Sequence, residues 1–134
     1  MTGNRRLLIV DDDEDIREVA QVTLEVSTCW EIVTAASGEG GIRTAVATPP
    51  DAILLDVMMP DLDGPSTLRH LRSHHETAGV PVIFLTAKVQ ATDRKRLEGL
   101  PISGVIAKPF DPMTLAGEIA AILGWDRAEG GSRV

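Results

Sequence analysis

The chain has 134 residues, of which 43% are hydrophobic and 25% are charged, and its formal net charge is −7. This length and composition fit one compact soluble domain and argue against a disordered, fibrous or multidomain chain. The acidic balance excludes the clustered basic surface that nucleic-acid binding requires, so we expect no contact with DNA or RNA.

Two features of the sequence bear on the compartment in which the chain works. Cys29 is the only cysteine, and a single thiol is typical of a reducing environment. The apolar run that follows Arg5 and Arg6 ends at Val10, which is too short for a signal peptide or a transmembrane helix. We therefore expect a cytoplasmic protein that makes no membrane contact.

Short apolar runs alternate along the chain with longer segments of helical spacing. Five such pairs predict a parallel sheet with helices packed on both faces. The runs are continuously apolar, as expected for strands that are covered on both sides. The predicted strands are Leu7–Val10, Glu31–Ala35, Ala52–Leu55, Pro81–Leu85 and Val105–Ala107.

The segments between the strands carry helix signals. The stripe of the first helix predicted to face the sheet is Ile16, Val19, Ala20, Thr23 and Val26. Pro65 suits the first turn of the third helix, and Asp111 with Pro112 predicts the N-cap and first residue of the last helix. That helix is expected to run through Leu123 and to end at Gly124.

The domain boundaries follow from this pattern of elements. We expect residues 5–124 to form the domain and residues 125–134, which are rich in glycine, to form a C-terminal tail. No output domain is expected in the sequence.

Polar side chains follow the predicted strands directly. Asp11 and Asp12 follow the first strand, Asp56 the third, Thr86 the fourth and Lys108 the fifth. Ligand sites of open parallel sheets lie beyond the carboxyl ends of the strands. We therefore expect these five side chains to converge.

Carboxylates gathered in a shallow cleft repel one another unless a cation neutralises them. Mg²⁺ prefers oxygen ligands and is usually held by one or two carboxylates together with a phosphate oxygen. We expect Asp11 and Asp12 to hold Mg²⁺, and Lys108 to add further positive charge. Such a site suits phosphoryl transfer, with Asp56 as the best-placed nucleophile for an aspartyl phosphate.

Other acidic residues near the strand ends have simpler interpretations. Asp13, Glu14 and Asp15 are interpreted as the solvated N-terminus of a helix, where negative charge is favoured. Asp61 and Asp63 are interpreted as turn residues, because their side chains commonly stabilise such loops. These five residues are not predicted to be ligands.

Four separated pieces of sequence, LLIVDDD, ILLDVMMPDLDG, VIFLTA and GVIAKPFD, resemble the motifs of response-regulator receiver domains in two-component signalling. The resemblance covers about residues 6–123. It implies a flavodoxin-like doubly wound (βα)5 fold with strand order 2-1-3-4-5. It also implies a phosphorylation switch or relay that receives phosphate from a sensor histidine kinase or phosphotransfer protein and acts on a downstream protein target.

The resemblance assigns metal and acceptor roles residue by residue. Asp56 would be the phosphoacceptor and a metal ligand, Asp12 would ligate Mg²⁺ directly, and Asp11 would do so mainly through water. Met58 would contribute its backbone carbonyl. Met58 and Lys88, each two residues beyond a site residue, also occupy the positions where the family tunes access of hydrolytic water.

The resemblance also assigns the switch. Thr86 would donate its hydroxyl to a phosphoryl oxygen, although taken alone it would be interpreted as satisfying the backbone at a strand end. Lys108 would pair with Asp56 before phosphorylation and with the phosphoryl group afterwards, aimed by a cis bond to Pro109. The family commonly has an aromatic switch residue where this chain has Val105, which has no ring to relocate.

Two other functions stay open from the sequence. Phosphatases of the haloacid dehalogenase type also use an aspartyl phosphate and Mg²⁺, but their nucleophile opens an Asp-x-Asp-x-Thr pattern, and Asp11–Asp15 lacks the Thr. The second alternative is an adaptor that keeps the receiver fold without being phosphorylated. In the leading interpretation the chain catalyses only its own phosphorylation and dephosphorylation, and is otherwise not an enzyme.

Overall fold

The computed structural model describes residues 5–87, 95–97 and 99–125 of the chain. Its centre is a parallel sheet whose strands run β2-β1-β3-β4-β5. This confirms the predicted flavodoxin-like, doubly wound fold and its strand order. The strands are β1 (Arg6–Val10), β2 (Glu31–Ala35), β3 (Ala52–Asp56), β4 (Val82–Ala87) and β5 (Gly104–Lys108).

Four helices can be assigned in the described residues, namely α1 (Glu14–Ser27), α2 (Gly38–Ala47), α3 (Gly64–Ser73) and α4 (Leu115–Leu123). The further helix predicted between β4 and β5 falls mostly outside the described residues, although residues 95–97 are helical. Within the described part of the chain, no helix has the length and apolar character needed to cross a membrane.

Alternate residues of each central strand enter different hydrophobic cores. On β1, Leu7 and Ile9 join a core with α1 and α4, whereas Leu8 and Val10 join a core that contains residues of α2 and α3. The strands β3 and β4 alternate in the same way. Because both faces of the sheet are covered, the central strands are apolar at successive positions, as predicted.

The sheet-facing stripe of α1 differs from the prediction. Ala20 and Leu24 are buried, and Ile16 packs against the same core. By contrast, Val19 is 44% exposed and Val26 is 82% exposed. Residues spaced by four line up along a helix, and α1 has apolar side chains on two adjacent flanks, so tertiary packing decides which flank meets the sheet.

The last helix also begins later than predicted. Asp111 Oδ1 accepts from the N–H of Met113 at 2.9 Å, and the Asp111 carbonyl accepts from the N–H groups of Thr114 and Leu115. Asp111 therefore caps a separate turn, and the α-helix itself starts at Leu115. Gly124 ends it with φ of 74°, as predicted for a left-handed C-terminal residue.

Trp125, the first residue of the predicted tail, packs against the body of the domain. Its ring meets Trp30 edge to face with centroids 5.1 Å apart, and the Arg5 guanidinium lies 5.2 Å from its centroid. Trp30 and Arg5 precede β2 and β1, so this cluster lies at the amino ends of the strands. Residues 126–134 of the predicted tail lie outside the described residues.

The first residue of α3 approaches the backbone beside the end of β3. Asp63 caps the helix by accepting from the N–H of Ser66 at 2.9 Å, and Pro65 lies in its first turn. A Cβ on Gly64 would lie only 2.7 Å from the carbonyl oxygen of Asp56 and 2.8 Å from Val57 Cα. Because these neighbours are backbone atoms, glycine is required at this position.

We predict that Gly64→Ala lowers the free energy of unfolding by roughly 1–3 kcal/mol, because the new methyl group forces the chain around Asp56 to shift. Urea denaturation measures this change. Gly79→Ala is the matched control, since a Cβ at Gly79 meets nothing within 4 Å. Equal stabilities of the two variants would contradict the prediction.

Candidate functional site

The carboxyl edge of the sheet brings acidic residues of two neighbouring strands together. Asp11 follows β1 directly, and Asp56 is the last residue of β3. These two strands pair side by side with Val10 opposite Leu55, so the next residue of each strand lies at the same edge. Asp11 is fully buried and Asp56 is only 2% exposed. Two buried carboxylates therefore adjoin at the end of the sheet.

Lys108 joins these carboxylates from the far side of β4. Its Nζ lies 3.1 Å from Asp11 Oδ2 and 3.2 Å from Asp56 Oδ1. Lys108 ends the edge strand β5, and its long side chain reaches past β4 to the centre of the sheet. The bond from Lys108 to Pro109 is cis, as the sequence resemblance implied. The predicted meeting of the lysine with the acidic residues is thus present.

Asp12 completes the acidic cluster. Asp11, Asp12 and Asp56 each offer a carboxylate oxygen, and the three oxygens lie within 4.8 Å of one another. Asp12 is exposed, whereas the other two are buried. These hard oxygen donors, open to water on one side, fit the needs of Mg²⁺, which keeps several waters in its shell. The residues present thus suit the predicted magnesium site.

The environment of Asp56 raises its pKa from an ordinary 3.8 to about 6. Burial is the main cause, and the negative charge of Asp11 adds to it. Lys108 and a hydrogen bond from the Met58 backbone oppose this rise without cancelling it. Asp56 is therefore held at an energetic disadvantage as an anion until positive charge is added.

The pKa of Lys108 is also raised, but for a lysine a raised pKa favours the charged form. Burial alone would lower the pKa of its ammonium group, but hydrogen bonds and charges from Asp11 and Asp56 outweigh burial and raise the pKa. Lys108 is therefore firmly cationic near neutral pH.

The remaining acids of the β1–α1 loop have a structural role, as interpreted from the sequence. Asp13 Oδ1 accepts from the N–H groups of Asp15 and Ile16 at 2.9 and 3.3 Å, which caps α1. Glu14 and Asp15 are exposed in the first turn of the helix. Their negative charges are stabilised there by the positive end of the helix dipole.

The loop after β3 presents Met58 to solvent, with 73% of the residue exposed. Its backbone N–H donates a hydrogen bond to the Asp56 carboxylate. Farther along the loop, Asp61 adopts φ of 68°, and Asp63 caps α3, so both are turn residues as interpreted. The predicted role of the Met58 carbonyl as a metal ligand stays a prediction. Lys88, its counterpart after β4, lies outside the described residues.

The two predicted switch residues lie on β4 and β5. Thr86 is 6% exposed near the carboxyl end of β4, one residue beyond Leu85, which pairs with Asp56. Val105 pairs with Phe84 and is buried in the core that also contains Leu97. Thr86 thus lies at the site edge and Val105 lies in the core beneath it. Their roles as switch residues stay predictions.

Arg17 is a contact of the site that the sequence analysis missed. Its Nη1 donates to the backbone carbonyl of Asp11 at 2.9 Å. The available signal was charge placement, because Arg17 is the only base in α1 and lies near the N-terminus of the helix.

Asp56→Asn is predicted to raise the free energy of unfolding at pH 8, without divalent cations, by roughly 2–3 kcal/mol. The amide stays neutral, whereas the folded carboxylate must ionise with a pKa of about 6 instead of 3.8. Because the folded pKa lies above the unfolded one, the wild type loses stability as pH rises between these two values. Its disadvantage is complete above them and fades below about pH 4.

Urea denaturation from pH 4 to pH 8 in a chelating buffer measures this difference. Asp61→Asn, in the exposed loop, is the control for losing one carboxylate. An advantage of Asp56→Asn that does not change with pH would contradict the prediction.

A family model for the response regulator receiver domain matches residues 7–120. PhoP of Bacillus subtilis (strain 168), the alkaline phosphatase synthesis transcriptional regulatory protein, is 36% identical over 120 residues, which are 90% of this chain and 49% of the relative. The probable transcriptional regulatory protein TcrX of Mycobacterium tuberculosis (strain ATCC 25618 / H37Rv) is 37% identical over 119 residues, with coverages of 87% and 49%. The chain spans about half the length of these curated relatives.

Solved structures agree with this match. The chemotaxis protein CheY4 of Vibrio cholerae has a TM-score of 0.82 at 27% identity, covering 90% of this chain and 99% of that chain. The receiver domain of sensor histidine kinase PA1611 from Pseudomonas aeruginosa PAO1 has a TM-score of 0.80 at 29% identity, with coverages of 91% and 99%. That structure holds a magnesium ion coordinated in its active-site cleft.

The sequence match extends from β1 into the last helix, and the solved receivers share the fold over nine-tenths of this chain. The chain therefore belongs to the family of response regulator receiver domains.

Proposed function

We propose that this receiver domain accepts a phosphoryl group on Asp56 from the phosphohistidine of a sensor histidine kinase or a phosphotransfer protein. The observation that carries the proposal is the contact of Lys108 Nζ with both Asp56 Oδ1 and Asp11 Oδ2, at 3.2 and 3.1 Å. Asp12 lies in the same acidic cluster. A nucleophilic carboxylate, an acid pair and a fixed cation are the groups that aspartyl phosphorylation requires.

In the proposed reaction, the ionised Asp56 carboxylate attacks phosphorus. A P–O bond forms to the aspartate as the P–N bond to the donor imidazole breaks, and the electron pair of that bond stays on the imidazole nitrogen. The transferred group carries its negative charge on equatorial oxygens. Lys108, held cationic beside Asp56, exchanges its Asp56 contact for one of these oxygens.

Asp11, Asp12, Asp56 and the carbonyl of Met58 would hold Mg²⁺, and the ion supplies neutralisation of the phosphoryl charge when bound. The structural relative that carries magnesium in its cleft supports this assignment. Burial of Asp11 and Asp56 keeps water away from one side of the site, which strengthens every charge interaction within it. Exposed Asp12 leaves the other side open to the donor protein.

Thr86 is proposed to donate its hydroxyl to a phosphoryl oxygen and to move the start of the β4–β5 connection. The family's aromatic switch is replaced by Val105, which packs in the core. We therefore propose that the movement of Thr86 is transmitted by backbone and core packing at the end of β4. A downstream protein would then bind or leave the changed surface.

The domain is a signalling module, and its proposed chemistry is limited to its own phosphorylation and dephosphorylation. We place this reaction in the cytoplasm, where the single Cys29 would stay reduced. The phosphatase alternative is disfavoured by the family match. The acidic cluster with its paired lysine gives no support to an adaptor that is never phosphorylated.

Incubation with Mg²⁺ and a small phosphodonor is expected to add one phosphoryl group to the wild type, measured by intact mass. Asp56→Asn should gain none, because the acceptor oxygen is replaced by an amide. Asp61→Asn, which changes a loop residue outside the acidic cluster, should gain the group as the wild type does. No gain in the wild type, or a gain that survives Asp56→Asn, would refute the proposed acceptor.

We further predict that Met58→Asn speeds loss of the phosphoryl group several-fold. Met58 is exposed two residues beyond Asp56, where its thioether offers only a weak hydrogen-bond acceptor, whereas an amide can orient the attacking water. The decay of phosphorylated protein after removal of the donor measures the rate. Met113→Asn is the matched control, since Met113 is 87% exposed in another loop. Slower or unchanged decay in Met58→Asn would show that this side chain does not limit hydrolysis.

A further inference from the structure

The guanidinium of Arg17 reaches back from α1 to the acidic cluster. Its backbone N–H donates to the Asp13 carbonyl at 3.0 Å and closes the first turn of the helix. Its side-chain Nη1 donates to the Asp11 carbonyl at 2.9 Å. Arg17 therefore bridges the helix and the peptide that joins Asp11 to Asp12.

The positive charge of Arg17 lies near the end of α1 where the helix dipole disfavours it. Basic residues are favoured near the C-terminus of a helix and acidic ones near its N-terminus. Yet α1 has no base in its last turn, and its single base follows Glu14 and Asp15 near the first turn. The helix dipole therefore does not explain the position, whereas contact with the acidic loop does.

Asp11 has a polar partner at each of its polar groups, and the partner of Oδ2 is the ion pair with Lys108 rather than a hydrogen bond. Its N–H donates to the Ala35 carbonyl at 3.2 Å, its Oδ1 accepts from the N–H of Asp13 at 2.9 Å, and its Oδ2 meets Lys108. The Arg17 bond to its carbonyl fixes the plane of the following peptide. That plane sets the direction in which the Asp12 side chain leaves the backbone.

We propose that Arg17 is a positioning residue that holds the Asp11–Asp12 peptide so that the Asp12 carboxylate faces Asp56 for Mg²⁺ binding. This inference rests on the proposed function and deepens it. Arg17 would act through the backbone carbonyl of Asp11 and not as a ligand of the metal or the phosphoryl group. Substitution of a residue that hydrogen-bonds to a metal ligand commonly lowers metal affinity by about one to two orders of magnitude.

A positioning role and a purely electrostatic role predict opposite results when Arg17 is replaced. A cation near a metal site repels the metal, so removing its charge alone would tighten Mg²⁺ binding. Losing the hydrogen bond to the Asp11 carbonyl instead frees Asp12 and weakens binding. The sign of the change therefore distinguishes the two roles.

The test is Mg²⁺ affinity of the unphosphorylated full chain, measured by isothermal titration calorimetry. We expect Arg17→Met to weaken the affinity roughly 10-fold, and Arg17→Lys to recover part of this loss through its shorter-reaching ammonium. Should Arg17→Met fail to fold, Arg17→Gln has the same expected loss. An unchanged or tighter affinity in the folded uncharged variant would overturn the proposal.

Two controls separate positioning from general effects. Arg69→Met removes an exposed cation whose hydrogen bond is to Ser66, and Gln21→Met removes a surface pair with Glu25 one turn further along α1. Both should keep the affinity of the wild type. An equal loss in either control would overturn the assignment to Arg17.

The proposed function fails separately, when the wild type binds Mg²⁺ but gains no phosphoryl group. In that case the comparison of Arg17 variants still decides the positioning role. A wild type that binds no Mg²⁺ would overturn the positioning role itself.

Discussion

The fold concentrates negative charge at one edge of the sheet, and the Lys108 contact is what makes this arrangement tolerable. Two buried aspartates at the ends of neighbouring strands would repel each other strongly in a site with little water. A single ammonium group lies within 3.2 Å of both. Its compensation is partial, because the pKa of Asp56 stays raised at about 6 by burial and by Asp11. The negative charge of the described site is therefore not fully neutralised by Lys108, and a bound divalent cation would complete the neutralisation.

The rest of the structure holds the members of this site in place. Both faces of the sheet are covered by apolar cores, so the central strands cannot slide without moving every side chain to the wrong face. Gly64 lets α3 begin in contact with the backbone of Asp56, and Asp13 starts α1 just after the acid pair. The positions of the site residues are therefore set by helix starts and strand ends.

Much of this could be predicted from the sequence, since apolar runs followed by polar residues identify both the strands and the site edge. The convergence of Lys108 with the acidic residues was inferred because parallel strands end at the same edge. Its pairing with Asp56 and the order of strands followed from the resemblance of four motifs. The inward flank of α1 was predicted only in part, since Ile16 and Ala20 face the core but Val19 and Val26 are exposed, and the start of α4 was predicted wrongly. In both places the local sequence is compatible with two structures. Packing of Leu24 determines which flank of α1 is buried, and the hydrogen bonds of Asp111 determine where α4 begins. Arg17 was missed because its partner is a backbone carbonyl, and its place as a base near the start of α1 does not by itself identify that partner.

The same burial that makes Asp56 unstable as an anion would also make it a useful acceptor in the proposed reaction. In an exposed loop its charge would be screened by water, and neither Lys108 nor a metal ion would interact with it strongly. Asp56 is only 2% exposed, so solvent can do little to screen a charge that is added to it. Its immediate neighbours must therefore compensate that charge. A phosphoryl group there would change the partners of Lys108 and Thr86 directly. The lower stability of the unphosphorylated site would therefore be the source of its proposed sensitivity to phosphorylation.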